Sequence, residues 1–126
     1  MSGEDAIQLN RKLVADTGEP HFVRDQGLLE SACAAPMNLW AYGGETDAAV
    51  LATALLLAVA RNHPFLQGNK RTGFAAALLF IEWNGWEMAE ALDAGPLAQA
   101  IVAALQDETV EGEVAVLLRT MARPLA

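Results

Sequence analysis

With 126 residues, 53% of them hydrophobic, the chain is long enough for one core and too apolar for disorder, so a single domain over 1–126 is expected. A formal net charge of −8 argues against direct nucleic-acid binding, which needs Lys and Arg to displace counterions. The one cysteine, Cys33, excludes an intramolecular disulfide and reads as a small core residue. The acidic start has no basic stretch leading into an apolar one, and the longest apolar run, Ala48 to Ala60, is too short to cross a bilayer. A cytoplasmic protein without membrane contact is therefore expected.

In chain order, Glu4 to Asp16 reads as an amphipathic helix with Ala6, Leu9 and Leu13 on one face and Ile7 and Val14 beside it. Gly18, Pro20 and the mixed residues after them form a loop. His21 lies in it, where a histidine usually has no functional role. A second helix begins at Asp25 or Gln26 and stops at Pro36. Met37 to Glu45, with Trp40, Tyr42 and two glycines, reads as a mobile loop pinned by aromatic side chains. Thr46 or Asp47 caps a third helix that runs to about Asn62.

That third helix and the run Gly73 to Ile81 are apolar on all sides, as helices in the middle of a core are. They form a central hairpin in which Ala52, Leu55, Leu56, Val59, Ala76, Leu79 and Phe80 are expected to be inaccessible. Asn84-Gly85 ends the fourth helix. Trp86 to Glu90 is a short extended piece, too short to make a sheet alone. Pro96 starts a fifth helix, with Leu97, Ile101, Ala104 and Leu105 on one side. A sixth, from about Val110 to Ala122, carries Val114, Leu117, Leu118 and Met121. The fold expected is all-α, a compact six-helix domain around a buried hairpin.

Between the two central helices lies the polar stretch His63-Pro64-Phe65-Leu66-Gln67-Gly68-Asn69-Lys70-Arg71. Pro64 ends the first helix, because the residue before a proline is pushed out of helical geometry. Lys70 and Arg71 open the second, where the helix N-terminus already favours anions. Cations there are disfavoured by about 0.3–1 kcal/mol each unless an anion binds. Gly68 permits close backbone approach, and Asn69 can donate and accept. Lys70 offers a point charge and Arg71 a fork for phosphate oxygens. The spacing is not that of a Walker loop. His63 beside such a phosphate site suits a general base for an incoming hydroxyl.

His63-Pro64-Phe65 followed by Gly68-Asn69-Lys70-Arg71-Thr72 resembles the signature of the Fic/Doc superfamily, and its death-on-curing (Doc) branch in particular. Lys70 stands where Fic proteins have Gly, and Phe74 where they have a second Arg, both as in Doc. Gly27-Leu28-Leu29-Glu30-Ser31-Ala32, Asn38-Leu39-Trp40-Ala41-Tyr42-Gly43, Ala76-Ala77-Leu78-Leu79-Phe80 and Asn84-Gly85 extend the likeness. It covers roughly 4 to 122 and is densest over 27 to 85.

The resemblance implies a toxin of a toxin–antitoxin pair, a protein kinase that moves the γ-phosphate of ATP to a threonine of elongation factor Tu and so arrests translation. It implies His63 as catalytic base, Phe65, Gln67, Gly68, Asn69, Lys70 and Arg71 around the nucleotide and its phosphates, and the flap around Trp40 at the border of the site. ATP and Mg²⁺ are the implied co-substrate and ion, and a Phd-like antitoxin the implied partner. The inhibitory helix of self-inhibited Fic proteins is not evident, which favours inhibition by a separate partner. The family usually has Asp or Glu at the position of Gln67, so weaker metal retention is expected. The alternatives are a Fic-type AMP transferase and a catalytically weakened nucleotide- or antitoxin-binding module.

Overall fold

The computed structural model describes residues 1–88 and 94–124. Helix α1 (Gly3–Asp16) opens on a capping box, in which the Ser2 hydroxyl accepts from the Asp5 N–H and the Asp5 carboxylate accepts from the Ser2 N–H. Helix α2 (Gln26–Cys33) is capped by the Asp25 carboxylate, which accepts from the Leu28 N–H. Helix α3 (Ala35–Gly43) follows after a single residue. Helices α4 (Ala48–Asn62) and α5 (Asn69–Trp83) are joined by the polar loop. Strand β1 (Trp86–Met88), helix α6 (Ala94–Gln106), a 3-10 turn (Glu108–Val110), helix α7 (Glu111–Met121) and strand β2 (Ala122–Pro124) complete the order.

Helix α4 is the centre of the packing. It contacts α2, α3, α5, α6 and α7, and nine of its fifteen residues are buried, against six of the fifteen in α5. One side of α4, with Ala49, Ala52, Leu56 and Leu57, meets Ala77 and Ile81 of α5 together with apolar residues of α6 and α7. Another side, with Leu55 and Val59, meets Ala32 of α2 and Ala76 of α5. Helices α4 and α5 approach closely at Gly73, where an added Cβ would stand 2.7 Å from the Leu56 carbonyl oxygen.

Several expectations need correction. The described residues hold seven α-helices rather than six, because Met37 to Glu45 is mostly helix rather than loop. Pro36 does not end α2 so much as start α3, at a first-turn position where its missing N–H does no harm. Trp40 and Tyr42 are exposed rather than buried as anchors. Leu79 and Phe80 are half-buried rather than inaccessible, whereas Ala52, Leu55, Leu56, Val59 and Ala76 are buried as expected. The buried stripe of α1 is Gly3, Ala6, Asn10 and Val14, with Leu9 and Leu13 to one side. Nor is the chain purely α. Trp86–Met88 pairs antiparallel with Ala122–Pro124, in the register Trp86 with Pro124 and Met88 with Ala122. Opposite one another in that ribbon, Arg123 and Glu87 form an ion pair at 2.6 Å. Residue 90, the end of the extended piece, lies outside the described residues.

Candidate active site

The chain leaves α4 at His63, with φ 48° and ψ 54°. Among the described residues it is the one non-glycine position with positive φ. The left-handed region costs an L residue about 1–2 kcal/mol, so neighbours must hold it there. Pro64 bars the helix from continuing through His63. A second segment then fixes the loop from the side. The Arg24 N–H donates to the Pro64 carbonyl at 2.7 Å, the Leu66 N–H donates to the Phe22 carbonyl at 2.9 Å, and Val23 pairs with Phe65 as an antiparallel bridge. The Arg24 guanidinium also donates to the His63 carbonyl at 3.3 Å.

Inside the loop, Asn69 folds its side chain back across the turn. Its Oδ1 accepts from the Phe65 N–H at 3.0 Å, and its Nδ2 donates to the Phe65 carbonyl at 2.8 Å. These two bonds fix which way the amide faces, so an N–H points at His63 Nδ1 from 3.5 Å. A contact at that distance is weak, and catalytic hydrogen bonds often tighten only when substrate is present.

Helix α5 begins with Gly68 as its N-cap, at φ 75° and without any side-chain cap. A Cβ there would meet Val14, Arg71 and Asn10 side chains at 3.2–3.3 Å. Glycine is required by that backbone conformation and by neighbours on α1 and α5. The first N–H groups of α5 are therefore left for an anion. Over them lies an open cleft of about 410 Å³ lined by His63, Leu66, Gln67, Gly68, Asn69, Lys70 and Arg71. Six of the seven residues expected at the site are together here. The seventh, Phe65, is not, since its ring is fully buried against Ala6, Leu29 and Cys33. Its part in the site is through its backbone bonds to Asn69.

Residues far away in sequence complete the arrangement, and sequence reasoning missed them. Arg71 is held by Glu19 at 2.5 Å and donates to the Thr17 hydroxyl at 3.2 Å. The Thr17 hydroxyl, followed by the Arg71 guanidinium, keeps the Glu19 carboxyl below its ordinary value. Asn10, wholly buried, donates to the Gln67 carbonyl at 2.8 Å and to the Thr72 hydroxyl at 3.0 Å. Its Oδ1 meets Nδ1 of His21 at 2.8 Å. The His21 ring lies 6.1 Å from that of Phe65, and burial, aided by the nearby Arg11, lowers its pKa. The available signal was Asn10 itself, a polar residue on a helix face otherwise made of Gly3, Ala6 and Val14.

A magnesium ion held by the protein calls for hard, usually charged oxygen ligands. The cleft lining carries no carboxylate, and the described residues include no group of three or more His, Cys, Asp or Glu placed to hold a metal. Gln67, exposed at the cleft, offers one neutral oxygen. This donor set does not fit a resident magnesium.

The sequence profile of the Fic/DOC family matches residues 1–81, which is more than half of the chain and includes the whole loop. The chain belongs to the Fic/DOC family. Within it the chain stands on the Doc branch. It is 44% identical over 73 residues to Toxin Doc of Mycolicibacterium smegmatis, an alignment covering 56% of this chain and 55% of that protein. It is 31% identical over 121 residues to Protein kinase doc of Escherichia phage P1, covering 96% of this chain and 94% of the phage protein. The chain thus spans about half the length of the first relative and nearly all of the second.

Proposed function

We propose that this protein is a Doc-type toxin that transfers the γ-phosphate of ATP to a hydroxyl side chain of a target protein. The observation that carries the reading is the juxtaposition at the loop, where His63 stands at the mouth of a cleft floored by the uncapped N-terminus of α5. The near full-length likeness to a phage protein named as a kinase favours phosphate over AMP as the group moved. ATP enters as its magnesium complex, a substrate whose ion is carried by the phosphates.

In this mechanism the N–H groups at the start of α5, with Lys70 and the donors of Arg71 not taken by Glu19, hold the phosphate chain. Positioning and charge stabilisation supply most of what phosphoryl transfer needs. The target hydroxyl oxygen forms a bond to the γ-phosphorus as the bond to the β–γ bridging oxygen breaks. The hydroxyl proton goes to the His63 imidazole, and ADP leaves with the bridging oxygen. Asn69 keeps the loop closed behind the ring. Threonine of elongation factor Tu is the target we propose, with arrested translation as the result, a Phd-like antitoxin as the restraining partner, and the cytoplasm as the place of action. No helix among the described residues is long and apolar enough to cross a membrane.

A second reading is a weakened binding module. It is favoured by the neutral Gln67 and by the carboxylate of Glu19 on Arg71. Incubating the purified protein with elongation factor Tu and ATP labelled separately at the α and γ positions decides among the readings. γ-label on the factor is the expected result. α-label means AMP transfer, and transfer of neither label supports the module.

A further inference from the structure

We infer that Asn10 and His21 are positioning residues for the phosphate loop, aiming the Gly68 N–H into the cleft through the Asn10–Gln67 hydrogen bond. The argument starts from the Asn10 amide. The Gln67 carbonyl can only accept, so the group facing it at 2.8 Å must be the Asn10 NH₂. The second hydrogen of that NH₂ goes to the Thr72 hydroxyl in the first turn of α5. The remaining atom, Oδ1, can only accept, so the His21 Nδ1 that faces it at 2.8 Å must carry a hydrogen. His21 is thereby fixed in one tautomer, and it in turn fixes the amide.

The consequence for the loop follows from the planar trans peptide, in which C=O and N–H point in opposite directions. With the Gln67 carbonyl drawn inward to Asn10, the N–H of Gly68 turns outward to the side that lines the cleft. A loop without this tether is free to flip the 67–68 peptide and present a carbonyl to phosphate oxygens, which repels them. A buried amide on the core face of α1 is otherwise hard to explain, because an apolar residue of similar volume removes the need to satisfy three polar contacts.

This inference rests on the phosphate-transfer reading, and nucleotide binding separates the two. ATP affinity is measured by calorimetry for the full chain, for Asn10→Leu and for the milder pair His21→Ala and His21→Gln, with melting and circular dichroism as checks on folding. Asn10→Leu is expected to weaken ATP binding at least tenfold and to raise KM for ATP by a similar factor. His21→Ala is expected to weaken it about threefold or more, and His21→Gln, whose amide N–H can still reach Oδ1, to recover most of the loss. Folded variants that bind ATP as the parent does overturn the inference, as does a His21→Gln no better than His21→Ala. If Asn10→Leu does not fold, the His21 pair decides alone. A parent chain that binds ATP but moves no γ-label ends the kinase reading and leaves the binding comparison to decide this one. A parent chain that binds no ATP overturns both.

Discussion

Gly73→Ala should damage the fold and the site together. An added Cβ at this position meets the Leu56 carbonyl oxygen at 2.7 Å, about 0.7 Å short of ordinary contact. The obstacle is backbone, so it cannot rotate aside, and α5 must move off α4. Overpacking of this kind costs roughly 1–3 kcal/mol, and the better helix propensity of Ala returns at most about 1 kcal/mol. A net loss of about 1–2 kcal/mol lowers the melting temperature of a domain this size by about 4–8 °C. The site feels the same displacement, because Gly73 lies one turn from Asn69 while His63 ends α4. A shift approaching 1 Å between base and phosphate site can cost up to about a hundredfold in rate, and a tenfold or larger fall in kcat/KM for γ-phosphate transfer is expected. Thermal melting followed by circular dichroism and the labelled-ATP assay read the two effects. An alanine variant that melts at or above the parent temperature would show that the α4–α5 contact yields freely, and the packing argument would fail.

Three further outcomes are expected. His63→Ala should abolish transfer with little change in melting, and His63→Gly should do the same while raising stability by about 0.5–1 kcal/mol, since glycine relieves the left-handed backbone; transfer retained by either ends the case for His63 as base. Gln67→Asp should lower the magnesium concentration for half-maximal activity about tenfold, because a charged ligand is worth on the order of 1–3 kcal/mol more than a neutral one; weaker ATP binding with no gain from metal would instead make Gln67 a ligand of the nucleotide. Asp47→Ala removes the cap that accepts from the Ala49 N–H at 2.8 Å and pairs with Arg119, at a cost of about 0.5–2 kcal/mol. Burial works to raise the Asp47 pKa, but the Ala49 and Arg119 bonds outweigh it and hold the carboxyl below 3.8. The cap's contribution is therefore present above that value and lost as pH falls through the lower folded one, so urea melts of the two proteins should differ at pH 7 and converge well below pH 4.

The parts of the fold legible in sequence are those written in contiguous residues. Asp25 and Asp47 announce α2 and α4, Pro64 and Asn84-Gly85 end α4 and α5, and unbroken apolar runs mark the central helices. Helix α3 was not legible, because Met37, Trp40 and Tyr42 lie exposed on it and leave no apolar period to read. Nor was the partner of Trp86–Met88, since pairing across most of the C-terminal third leaves no local signature. The candidate site divides in the same way. His63 to Arg71 is one segment with one chemistry, whereas Asn10, Glu19, His21 and Arg24 reach it only through folding. His21 gives no sign in sequence of its place in the fold, where its ring lies near Phe65 and its Nδ1 meets a buried amide.

The electrostatics of the cleft follow from how few cations the chain has. Of eight Lys and Arg residues, Arg61, Arg119 and Arg123 pair with Glu111, Asp47 and Glu87 on other elements. Arg71 pairs with Glu19 at the cleft itself. Lys70 is then the one cation of the lining that forms no ion pair among the described residues. At distances beyond the Debye length of about 8 Å such a site on an acidic protein exerts little pull on a polyphosphate. In the proposed reaction, selectivity for phosphate has to arise at contact, from N–H groups at the uncapped start of α5 and from guanidinium donors that Glu19 does not use. Those donors depend on backbone direction more than on charge. On the proposed mechanism, the bonds that set that direction, from Asn69 inside the loop and Asn10 beneath it, matter to phosphate binding as much as the cations at the rim.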